Sequence, residues 1–151
     1  MEPGLKVKFW GTRACIPCPG KTREVFGGYT PCLQILFEEH LILVDSGYGI
    51  CSLGEELLQR IQTNEKISIH IFFSSFTWDH IQGLPFFHPI YAENCTLHLY
   101  SPLKVPQLFS YLNILFSQAY SPFESLSKMP ANITLNQLGP SMDLAGLKIQ
   151  H

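Results

Sequence analysis

The run ISIHIFF, residues 67–73, constrains the fold more than any other stretch of the chain. It is short, dominated by Ile and Phe, and carries almost no polar face. Such a run suits a strand buried on both sides, the situation of a central strand in a sheet covered by helices. LKVKFW (5–10) alternates apolar and polar instead, as a half-buried strand does. CLQILFEE (32–39) and LILVD (41–45) read as two strands, with Glu38-Glu39-His40 as the polar turn between them. TLHLY (96–100) is a further strand, and NITL (132–135) and GLKIQ (146–150) read as short final ones. Ser52, with Glu55 three residues on, forms a capping box that starts a helix bearing Leu53, Leu57, Leu58 and Ile61 on one face. A second helix is expected from Pro106 to Ala119, with Leu108, Leu112, Leu115 and Ala119 in register. Strands alternating with helices indicate an α/β architecture, and 151 residues suit one domain over 1–151.

Composition excludes several classes. A hydrophobic content of 46% with 15% charged residues is that of a chain with a packed core, not a disordered one. The formal charge of -2 leaves no basic stripe, so a nucleic acid would have to be held in a cleft and not by long-range attraction. The N-terminus MEPGLKVKFWG lacks the charged and apolar regions of a secretory signal, and the apolar runs are too short to span a membrane. Five cysteines without export read as reduced thiols of a cytoplasmic protein. Cys15 and Cys18 form a Cys-x-x-Cys, yet no second pair completes a zinc ribbon, and Pro17 and Pro19 favour an extended loop.

The chemistry-bearing segment is FFSSFTWDHIQGLPFF (72–87). Taken in order, VKFWGTR with its IPCPG loop, FGGYT, LILVDSGYG and WDHIQGLPFF resemble the metallo-β-lactamase superfamily, in its branch near ribonuclease Z and cyclic-nucleotide phosphodiesterases. The resemblance runs from Val7 to Gln150 and covers about the first half of that fold. It implies an αββα sandwich truncated to that half, and a metal-dependent phosphodiesterase or other hydrolase as the ancestral activity. The family signature is His-x-His-x-Asp-His. Aligned on it, Asp79 and His80 match the last two positions, Ser75 and Thr77 occupy the first two, and Asp45 matches the strand-end aspartate.

In that family two imidazoles one residue apart grip one zinc or other divalent ion, while Asp and His serve a second, and the pair generates a hydroxide for in-line attack on a phosphodiester. The resemblance therefore makes Asp79 and His80 metal ligands, makes Asp79 the catalytic residue that orients water, and makes Asp45 and Gly83 supports of the site. Ser75 and Thr77 degrade the first site, because neutral hydroxyls are weak zinc ligands. The remaining ligands would come from the family's second half, beyond His151. Metal binding in this chain is expected to be weak or absent.

Structural roles stand beside these. Asp79 could cap a turn starting at His80. Asp45 could organise its loop by accepting backbone N–H groups. His70 and His98 fall in strands, His40 in a turn, and His88 before a proline, none at metal spacing. Phe76 and Trp78 are expected to fill the space that the lost imidazoles leave. Gly83 should give the turn, with Leu84, Pro85, Phe86 and Phe87 re-entering the core.

Three functions follow from this reading: a catalytically silent homologue, an active phosphodiesterase or nuclease completed by a partner chain or a further C-terminal segment, and a non-catalytic interaction module. Each expects a homo-oligomer or partner chain over the exposed sheet, because the last strands have no helix to cover them. A phosphodiester or RNA is the expected ligand, and no membrane is involved.

Overall fold

A computed structural model describes residues 4–20, 25, 27–119, 125–144 and 146–150. His151 and part of the 12–31 loop lie outside them. Six strands form one mixed sheet in sequence order: β1 (Leu5–Gly11), β2 (Cys32–Phe37), β3 (His40–Val44), β4 (Ile67–Phe72), β5 (Cys95–Ser101) and β6 (Asn132–Gln137). β1, β2 and β3 run antiparallel, and β3 to β6 are mutually parallel. Parallel neighbours need crossovers, which is why α1 (Ile50–Gln62) and α3 (Val105–Leu115) fall where they do. A separate hairpin, β7 (Ser141–Leu144) with β8 (Leu147–Gln150), completes the fold. No helix among the described residues is long and apolar enough to cross a membrane.

The sheet has two different faces. Leu41, Leu43, Ile69, Ile71, Leu97 and Leu99 point to the first, against Leu53 and Leu57 of α1 and Leu108, Leu112 and Leu115 of α3. Alternate residues form the second face, where Ile42, Phe72 and Tyr100 cluster with Ile35, Leu138 and the apolar side of the β7–β8 hairpin. The hairpin covers only part of this face. On edge strand β1, Leu5, Val7 and Phe9 remain 52%, 49% and 68% exposed.

Several expectations change at this level. LKVKFW is a strand, but it is exposed on both sides instead of half-buried, because β2 is its sole strand neighbour and little packs on its faces. His40 opens β3, and the turn is Glu38-Glu39, with Glu38 at φ 52°. The capping box is absent. α1 starts at Ile50, with Gly49 as its cap residue and no side-chain cap bond. The N–H groups of Gly49, Ile50 and Cys51 find the carbonyls of Thr30, Gly47 and Tyr48, so backbone acceptors do what Ser52 was expected to do. α3 ends at Leu115, and Ala119 lies beyond it, exposed. β7 had no sequence counterpart. The five cysteines are free thiols.

Candidate functional site

β3 and β4 run parallel, and the loops that follow them at their carboxyl ends meet at one place. Asp45 N–H donates to Phe72 O at 2.8 Å, closing that end of the pair. Asp45 sits at φ 63°, a left-handed conformation that Asp tolerates better than most residues. Its carboxylate is 4% exposed as a residue and accepts three bonds: Ser74 N–H at 2.8 Å, Ser74 Oγ–H at 2.7 Å and His80 Nδ1 at 2.8 Å. The role of loop organiser is the one the geometry supports. Ser74, which the sequence did not single out, bridges Asp45 and His80, its Oγ lying 2.7 Å from Asp45 Oδ2 and 3.2 Å from His80 Nδ1.

The glycines explain how closely these loops pack. Gly83 has φ −82°, an ordinary helical conformation, so it does not supply a special turn. It is glycine because a Cβ would run into the Gly47 carbonyl and the Ile50 side chain. Gly47 in turn is pressed against backbone of Asp79 and Pro31. Ser46 N–H donates to His80 O at 2.7 Å, and Gly83 N–H donates to Ser46 O at 2.9 Å. The DSGYG and WDHIQG segments are therefore stitched together by backbone, independently of any side-chain ligand.

α2 (Trp78–Ile81) is one short turn, with Thr77 at its cap position. Asp79 is not its cap. Its Oδ2 instead accepts Cys15 N–H at 3.0 Å from the IPCPG loop. That bond first, and a bond from the Thr77 hydroxyl second, hold the Asp79 carboxyl below the usual range, so it is ionised at neutral pH. Ser75 Oγ–H donates to Thr77 Oγ1 at 3.2 Å, and Thr77 N–H donates to Ser75 Oγ at 3.1 Å. The hydroxyls of Ser75 and Thr77 are thus bonded to each other, two residues before Asp79.

His80 is 24% exposed, with Nδ1 on Asp45 and Nε2 lying 3.9 Å from Asp79 Oδ2. With Nδ1 donating to a carboxylate, the imidazole presents the Nε2 lone pair, the orientation that a carboxylate second partner gives a metal-bound histidine. His80 Nε2 and Asp79 Oδ2 thus lie side by side, 3.9 Å apart. A catalytic zinc takes three protein ligands and an open position. No group of three or more His, Cys, Asp or Glu among the described residues is arranged to hold a metal ion. The residues present do not fit a zinc centre by themselves.

The two aromatics expected to fill space differ: Phe76 packs against the core and Trp78 does not. Phe76 packs on Phe73 and Tyr111, at ring separations of 5.1 and 5.8 Å. Trp78 is 60% exposed and fills nothing. Leu84 and Phe87 are fully buried, but Phe86 is 62% exposed. Trp78, Phe86, Gln82, Pro85, Ile114 and Leu115 line an open apolar cavity of about 390 Å³ beside the Asp79–His80 pair. His88 is exposed and stands apart from the pair. His40, His70 and His98 lie on the second face of the sheet, in contact with one another.

Comparison with solved structures places this architecture. A diphosphatase from the PhnP family superposes with a TM-score of 0.62 at 17% identity, covering 97% of this chain and 56% of that one. The metallo-β-lactamase fold protein YhfI from Bacillus subtilis gives 0.57 at 14% identity, covering 97% and 51%. No family profile matches the chain, and no curated protein matches it. The chain has the metallo-β-lactamase fold over the part it spans, about half the length of the solved structures it matches.

Proposed function

We propose that this chain is a single-domain, catalytically silent relative of metallo-β-lactamase-fold phosphodiesterases, acting by binding or assembly. The observation that carries the reading is the mutual bonding of Ser75 and Thr77 beside Asp79. Two neutral hydroxyls stand where the resemblance places imidazoles, and they bond to each other. A hydroxyl that keeps its proton offers a divalent ion little at neutral pH, and Asp79 with His80 falls short of a ligand set. Zinc content after purification and turnover of bis-p-nitrophenyl phosphate test it together. The expected result is no bound equivalent and no rate above that of Asp79→Ala. Stoichiometric zinc with turnover that Asp79→Ala abolishes overturns it.

A second reading rests on a different observation. The Asp45–His80 pair is intact, with His80 Nε2 open beside Asp79. This is the half of a site that a partner chain or a further segment, bringing its own His and Asp, would complete for a phosphodiester or RNA substrate. Metal-dependent activity confined to a dimer or complex supports it, and an inactive, metal-free assembly rules it out.

Both readings call for cover on the second sheet face, whether a second copy or another chain. Leu5, Val7 and Phe9 along the β1 edge support this. Five free thiols support a reducing, cytoplasmic setting.

A further inference from the structure

The cavity of about 390 Å³ between α2 and the end of α3 has no part in the Asp45–His80 network. Three of its lining side chains, Trp78, Phe86 and Ile114, are large, apolar and more than half exposed. A single exposed apolar residue means little, but three meeting in one concavity mark a surface kept apolar for contact. The fold sets the walls in advance. Phe86 N–H donates to Gly83 O at 2.9 Å, the Tyr91 hydroxyl donates to Pro85 O, and Leu115 is buried at the end of α3. The volume falls near the lower end of the range of small-molecule sites, about 300–1,000 Å³.

One polar residue interrupts this lining. Gln82 is only 7% exposed, and its Nε2 donates to Cys15 O at 3.4 Å, a long bond. Because a carbonyl can only accept, that contact fixes which end of the amide is the nitrogen. The Gln82 amide oxygen accepts no hydrogen bond among the described residues. It is not sealed in either, since no fully enclosed side-chain oxygen or nitrogen among them lacks a partner. The opening it reaches is the cavity that Gln82 lines. A nearly buried acceptor without a donor is costly, and a ligand that brings an N–H or O–H recovers that cost. No Lys, Arg, Asp or Glu lines the cavity, so a charged ligand would give up water there with no ion to meet it.

We propose that this cavity binds an uncharged aromatic molecule of one or two rings, packed against Trp78 and Phe86 and donating one hydrogen bond to the Gln82 amide oxygen. The two aromatic walls favour a flat ring, which can meet them offset or edge-on. Gln82 adds a rule of selection: a ring that carries a donor is preferred to the same ring with the donor blocked. The site uses neither the Asp79 carboxylate nor the His80 imidazole. It therefore stands whether or not that pair holds a metal, and whether or not the chain turns over a phosphodiester.

Calorimetric titration of the intact chain with indole and with 1-methylindole, which lacks the donor, tests it. Indole is expected to bind at one site, and 1-methylindole at least about fivefold more weakly. Gln82→Leu keeps the bulk of the side chain and removes the oxygen, and should bring the two ligands within about twofold of each other. Trp78→Ala and Phe86→Ala change exposed positions that the core does not need, and each should weaken indole at least about threefold. Should Gln82→Leu fail to fold, the wild-type preference and the two aromatic variants still decide. No binding of indole up to about 1 mM, equal affinity for both ligands in the wild type, or unchanged affinity in both aromatic variants overturns the proposal. A preference that survives Gln82→Leu would come from the size of the methyl group and overturns the assigned hydrogen bond.

Discussion

Single residues decide what this site can do, and the sharpest substitution is hydroxyl for imidazole. Ser75→His with Thr77→His restores two nitrogens at the positions where the resemblance places them. It is expected to raise zinc affinity measured by calorimetry, since the backbone stitching around the loop persists without metal. Asp45 should matter for stability more than its sequence suggests. Asp45→Ala removes three accepted bonds at once, from Ser74 N–H, Ser74 Oγ–H and His80 Nδ1, for a loss of about 2–4 kcal/mol in urea unfolding. Asp45→Asn keeps the shape and one acceptor oxygen and is expected to cost less. Gly83→Ala drives a Cβ into the Gly47 carbonyl, with an expected loss of about 1–3 kcal/mol that a conformational-freedom argument alone would not give. Asp45, Asp79 and His80 were legible because acids and imidazoles are scarce and their spacing is distinctive. Ser74 and the Cys15 N–H were not, because a serine beside a serine and a backbone donor from a distant loop leave no mark in sequence.

At the scale of elements, the strands were readable wherever burial was symmetric. β4 announces itself through its Ile and Phe content, with five of its six residues buried, while β5 alternates and keeps Thr96 and His98 only half-buried. β1 misled because alternation reports the pattern of side chains and not the presence of cover. The start of α1 misled for a related reason. Ser52 and Glu55 have the capping chemistry, but the helix starts two residues earlier, where the local carbonyls of Gly47 and Tyr48 and the distant one of Thr30 take the N–H groups of its first turn. The ladder of His40, His70 and His98 sits on three separate strands, so only the register reveals it. Its effect on the whole fold follows from linkage. With the His70 pKa at about 4 against about 6.5 unfolded, thermal stability should be flat above pH 7 and fall toward pH 4. His70→Gln should lessen the slope, and an equal slope in both proteins would remove the imidazole from the account.

Among the described residues the second face of the sheet is only partly covered, and behaviour in solution should show it. Leu5, Val7 and Phe9 form an apolar stripe on an unpaired edge strand, next to the part of the second face that the hairpin leaves open. Concentration-dependent self-association in sedimentation is expected, and Val7→Glu with Phe9→Glu should reduce it without lowering the melting temperature, because neither side chain is in the core. A monomer at micromolar concentration in the unsubstituted chain would count against the open face as a docking surface. Whether the chain works as a hydrolase turns on its grip on a cation. The most direct measurement is zinc stoichiometry by elemental analysis on the purified chain, alongside Asp79→Ala and the Ser75→His, Thr77→His variant. The account expects wild type and Asp79→Ala to hold equally little, and the histidine variant to hold more. One tightly held equivalent in the wild type, lost in Asp79→Ala, would contradict it.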